Sequence, residues 1–154
     1  MSRSLPFLCS VVALGVVLAG CSGSYAERAS QRQAAYAAAA GASVRSFHFF
    51  SPLYSWESLS NQQLVVYTQP NQAWLLDVDM CPNLPFANAV GVTSNAHEVS
   101  VRFDRILVAG GGPGGSLPCI IMQIRPVDLS QLKAARQAQR KIDEQPRPPA
   151  APDH

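Results

Sequence analysis

The chain carries little charge. Lys, Arg, Asp and Glu make up 14% of its 154 residues, against about 25% in a typical soluble domain. Its formal net charge is +2, and no basic stripe stands out along the sequence, so nucleic acid is not an expected partner. It has no Cys-x-x-Cys, and no histidine sits at ligand spacing from a cysteine, so no redox or zinc motif is written in it. It has no Gly-x-Ser-x-Gly, and its two internal histidines, His48 and His97, lie in no nucleophile context. The glycine-rich run Gly110–Ser116 is not followed by Gly-Lys-Ser/Thr, and Pro113 removes a donor, so it reads as a hairpin loop and not a phosphate cradle. No catalytic residues, cofactor or metal are expected. The chain also lacks an apolar run of the ~20 residues that a spanning helix needs.

What is present begins with Leu18-Ala19-Gly20-Cys21. A cation at Arg3, an apolar run from about Leu5 to Leu18, and small residues before Cys21 have the order of a secretory signal with a lipobox. Residues 1–20 are expected to be removed and Cys21 to be lipidated. Several acyl chains at ~0.8 kcal/mol per buried CH₂ would anchor it stably to a membrane. Ser22 follows, not Asp, which points to the outer membrane with the domain facing the periplasm. Cys9 leaves with the signal. Cys81 and Cys119 then remain as one pair in an oxidising compartment and are expected to form a disulfide.

Residues 21–43 read as a lipidated tether, helical in part and ending near Gly41. Only Tyr36 in its Ala- and Gln-rich run is large and apolar, so this helix has little to bury. Residues 44–142 read as the folded domain and 143–154, rich in proline, as a disordered tail.

Within the domain, Ser46 to Phe50 is a weak first strand, and Tyr54 to Leu59 is ambiguous. Gln63–Thr68 and Ala73–Val78 form a hairpin around Pro70, with Trp74, Leu76 and Val78 on one face and Ala73, Leu75 and Asp77 on the other. Phe86–Thr93 gives another strand, with Phe86, Val90 and Val92 alike. Glu98 to Asp104 alternates cleanly, with Val99, Val101 and Phe103 inward and Arg102 and Asp104 outward. Ile106 and Val108 break that parity, which predicts a bulge or tight bend at Asp104-Arg105. Cys119–Ile124 is the last strand, with Ile120, Met122 and Ile124 inward, ended by Pro126. Asp128, with Gln131 three residues on, caps a helix to about Ile142.

The expected fold is therefore mainly β (α+β): a small antiparallel sheet or barrel-like domain of about six strands, with a C-terminal helix and one disulfide. Two candidate sites stand out. Arg102, Asp104 and Arg125 would form a polar patch, and Trp56 and Trp74 would line an apolar pocket. Asp77 and Asp79 are too few for calcium and read as a solvated strand end.

The order of lipobox, Trp56, the Leu64-to-Thr68 strand, Trp74-Leu75-Leu76, Cys81-x-x-Leu84, Arg102-Phe103-Asp104 and Cys119-Ile120-x-x-x-Ile124-Arg125-Pro126-Val127-Asp128 resembles a family of small bacterial lipoproteins, domain of unknown function 6491. The resemblance covers roughly residues 44–135. It implies a compact periplasmic domain and no mechanism. The functional expectation is a non-enzymatic binding or envelope-associated module, partnered with the membrane through Cys21 and with an envelope protein. The alternative is a carrier of a small apolar ligand or lipid.

Overall fold

A computed structural model describes residues 20–50, 52–109 and 117–143. The apolar run of the expected signal, the glycine-rich loop and the tail from residue 144 lie outside the described residues. The chain divides into two compact units between Gln31 and Arg32. Helix α1, Gly20–Ala39, spans that division, and Cys21 falls in its first turn. In the first unit its described contacts are intrahelical: the Ser30 hydroxyl donates to the Glu27 carbonyl at 2.8 Å and the Gln31 amide to the Glu27 carboxylate at 3.4 Å.

The second unit is built on strands β1 (Ser46–His48), β2 (Ser55–Ser60), β3 (Gln63–Gln69), β4 (Gln72–Val78), β5 (Ala89–Val92), β6 (Glu98–Ser100), β7 (Arg105–Ala109) and β8 (Leu117–Val127), followed by helix α2 (Leu129–Asp143). Six of them form a nearly closed antiparallel sheet in the order β2-β3-β4-β8-β7-β5, and β1 pairs with β6 alone. The fold is mostly β with a C-terminal helix, as expected. The β3–β4 hairpin turns at Pro70-Asn71, and its two faces are those the alternation assigned.

The inner face of the sheet holds the larger core: Leu64, Val66, Leu76, Val78, Ile106, Val108, Ile121 and Ile124, with Phe47 of β1 and Phe49 just after it packed in. The Cys81–Cys119 disulfide lies in this core, its Cα atoms 5.9 Å apart. A second core covers the outer face, where Val65, Ala73 and Leu75 meet Tyr36 and Ala39 of α1 and Leu132 of α2. Residues 64–66 are buried without alternation because β3 is covered on both faces.

Five expectations are corrected. The last residues of α1 do have something to bury, since Tyr36 is fully inaccessible and Ala39 nearly so. The strand expected from Glu98 to Asp104 stops at Ser100, and Val101–Phe103 is a turn with Arg102 at φ 69°. That turn reverses the parity, so Phe103 is exposed and Asp104 buried. The expected bend is therefore present but falls before Asp104. In β8 the inward residues are Cys119, Ile121 and Ile124, with Met122 half exposed. Asp77 pairs with Gln123 and Val78 with Ile121, so Met122 is the extra residue of a bulge, and one extra residue flips every side chain before it. Finally, Pro126 does not end the strand. Its carbonyl accepts from Gly41 N at 2.8 Å, so its missing N–H faces residues 40–44 and not the β4 ladder. Phe86, expected inward, lies in a 3-10 turn and is exposed.

Candidate functional site

The sheet closes everywhere except between β2 and β5, its two edge strands. A cleft of about 510 Å³ lies at that gap. Trp56 lines it from β2, Val90, Gly91 and Val92 line it from β5, and Phe49 and Leu53 line it from the chain that leads into β2. Thr93 N donates to Arg105 O at 3.0 Å. Hydrogen-bonded residues alternate along an antiparallel edge, so Gly91 shares that side and Val90 and Val92 turn their backbone groups away from β7, toward the gap. The cleft thus combines apolar side chains with a strand edge that no other described strand pairs.

Beside it lies a strained turn. Ala96 and His97 have φ 49° and 64°, and Asn95 and Glu98 exchange both backbone hydrogen bonds across them at 3.0 and 2.9 Å. This is a two-residue hairpin, in which glycine or asparagine is usual. The His97 carbonyl accepts from Phe49 N at 3.0 Å, and the His97 ring lies 5.1 Å from that of Phe50. The strain is therefore spent on positioning residues at the cleft wall.

Trp56 and Trp74 both face inward, yet they are not joint walls of a pocket. Trp74 stacks on Phe47 at 4.7 Å and 15° and fills the interior there. Only Trp56 lines the cleft.

The structure does not assemble Arg102, Asp104 and Arg125 into a patch. Asp104 is buried, and its carboxylate accepts from the Thr93 hydroxyl and from Ser100 N, both at 2.8 Å, which ties the Val101–Phe103 turn to the end of β5. Arg125 pairs with Asp77 at 2.9 Å on the outer face, where the Gln63 amide also donates to Asp77 at 2.6 Å. Arg102 is exposed, and its backbone N donates to Ile121 O. Asp79 is not a solvated strand end: its carboxylate accepts from Ile120 N at 2.7 Å. Among the described residues no three His, Cys, Asp or Glu side chains could hold a metal ion. None of their helices is long and apolar enough to cross a membrane.

Sequence reasoning missed a polar cluster on the outer face. The Tyr36 hydroxyl donates to Glu57 Oε2 at 2.5 Å, and it accepts from Tyr67 at 2.8 Å and from Arg136 Nη2 at 2.9 Å. Arg136 also lies over the Tyr36 ring, 5.2 Å from its centre, and Glu57 draws Arg32 to 3.3 Å and Arg136 to 3.7 Å. Burial, and after it the hydrogen bond to Glu57, pushes the Tyr36 hydroxyl well above the ordinary tyrosine range. The signal in the sequence was a single tyrosine flanked by small Ala35, Ala39 and Ala40, which let a helix approach a sheet closely.

At the head of α2, the Asp128 carboxylate accepts from Ser130 N and Oγ and from Gln131 N, so it is the cap the sequence predicted. The Ser130 hydroxyl, the Gln131 backbone N–H and the Ser130 N–H hold that carboxyl below its usual range.

A small, mostly β protein with a nearly closed sheet, helices over one face and a cleft at its gap is the class these features define. Residues 3–143 match the family of unknown function DUF6491, and the chain belongs to that family. No curated protein and no solved structure matches it.

Proposed function

We propose that this chain is a lipid-anchored protein of the bacterial envelope that works as a non-enzymatic binding module. Its ligand is an extended apolar segment of an envelope protein, taken between β2 and β5. The observation that carries the reading is the coincidence of the β5 edge, which at Val90 and Val92 pairs with no other described strand, with the cleft that Trp56 lines. Main-chain pairing gives such a site affinity, and alternate side chains in the cleft give it selectivity. The lipobox ending in Cys21 supports anchoring at the outer membrane, facing the periplasm, and the Cys81–Cys119 pair suits an oxidising compartment. Incorporation of labelled palmitate that disappears in Cys21→Ser supports the anchor, and an unlabelled wild type overturns it.

Hydrogen exchange of the full chain in its native envelope tests the site. Slowed exchange at the Val90 and Val92 amides, relieved by Trp56→Ala, is the expected result. The carrier reading keeps one observation in its favour, Trp56 open at the cleft. A small apolar ligand would change Trp56 fluorescence while leaving those two amides unprotected, and that outcome would replace the polypeptide with a lipid-like cargo.

A further inference from the structure

We propose a second binding site, independent of the cleft at the sheet gap, on the outer face beneath α2. Its ligand is the phosphate-bearing headgroup of an anionic phospholipid. A cleft of about 380 Å³ lies between α2 and the β3–β4 turn, lined by Tyr67 and Pro70 on one side and by Leu132, Lys133, Arg136 and Arg140 on the other. Among the described residues no acidic side chain lines it. Cations three and four apart share one helix face, so Lys133, Arg136 and Arg140 form a single stripe, and like charges at those spacings repel. The repulsion is relieved when an anion sits among the three.

Arg136 is already held in place for this. Its Nη2 is committed to Tyr36 at 2.9 Å and faces Glu57 at 3.7 Å. The guanidinium has five N–H donors in a fixed fork, so Nη1 and Nε remain to meet oxygens of a phosphate. Beside the cations the wall is apolar, at Pro70 of the β3–β4 turn and at Leu129 and Leu132 in the first turn of α2. A free inorganic anion has no use for such a wall, while the glycerol and first acyl carbons of a lipid do. Cations beside apolar surface match an amphiphile with an anionic head.

The test uses the full chain in nonionic detergent, titrated calorimetrically with short-chain phosphatidylglycerol, short-chain phosphatidylcholine and inorganic phosphate. Lys133→Gln with Arg140→Gln removes two exposed cations and leaves Arg136, which also supports Tyr36. Loss of one cation weakens headgroup binding about fivefold, so the pair should weaken it roughly 25-fold. Arg102→Gln, on another part of the surface, should change nothing, and unchanged melting of the double variant shows that the fold is kept. Binding of phosphatidylglycerol that is weakened in the double variant supports the site. Equal binding of phosphatidylcholine, equal binding of inorganic phosphate, or a double variant that binds as the wild type does would each overturn it.

Discussion

The two faces of the six-stranded sheet are buried by opposite means. The inner face is filled by apolar side chains from its own strands and from the segment around Phe47 and Phe49, and it is fastened by the Cys81–Cys119 bond. The outer face is covered by two helices that bring few large apolar groups, and its centre is the Tyr36 hydroxyl with its three polar partners. A helix poor in apolar residues can therefore still dock, provided that its one buried polar atom is fully satisfied.

The largest break in this contrast should come from the disulfide. Cys81→Ser with Cys119→Ser frees a loop with a sequence separation of 38. Urea denaturation should show a loss of about 4 kcal/mol, since a closed loop of that length restricts the unfolded chain by that much. Asp104→Ala comes next. It strips Thr93 and Ser100 N of a buried charged acceptor, and should cost about 3 kcal/mol in the same assay.

Tyr36→Phe acts on the other face and should cost about 2 kcal/mol, because Glu57, Tyr67 and Arg136 lose their shared partner. Hydrogen exchange should quicken in α2 and leave β7 unchanged. If both respond alike, the two faces are not separate in the way described. The same hydroxyl gives a pH signature. Its value is raised in the folded state, so its contribution is complete below the ordinary tyrosine value of about 10 and is lost as pH rises above it. Melting temperature against pH should thus fall more steeply above pH 10 in the wild type than in Tyr36→Phe.

The smallest effect sharpens the comparison by relaxing the inner rim. Ala96→Gly removes a side chain held at φ 49°. It should stabilise by about 0.5 kcal/mol, because relief of the left-handed strain slightly exceeds the entropy cost of glycine. It should also loosen the cleft wall through Phe49.

Much of the inner face was legible in the sequence. Trp74, Leu76 and Val78 alternate with Ala73, Leu75 and Asp77, and the sheet obeys that pattern. Legibility fails wherever one residue shifts parity. The bulge at Met122 moves Ile121 inward, and the turn at Arg102 exchanges the places of Phe103 and Asp104. Neither event leaves a glycine or proline to announce it. Tyr36 escaped notice because an Ala- and Gln-rich run gives almost no amphipathic signal. The basic stripe of α2 was hidden in a chain of near-neutral charge, since only helical winding brings Lys133, Arg136 and Arg140 to one side. The gap at Trp56 depends on which strands end up at the edges, a property of strand order that local patterning does not carry.

The disulfide also has a consequence for the chain's integrity as a covalent object. Cys81 and Cys119 stand on opposite sides of residues 110–116 in the sequence. A protease cut anywhere in that span yields two polypeptides that remain one molecule. The shorter piece, with β8 and α2, stays bonded to the longer one and paired to β4 in the middle of the sheet. A gel run without reductant would show one band where a reduced gel shows two. The chain can thus be cut between residues 110 and 116 without being divided.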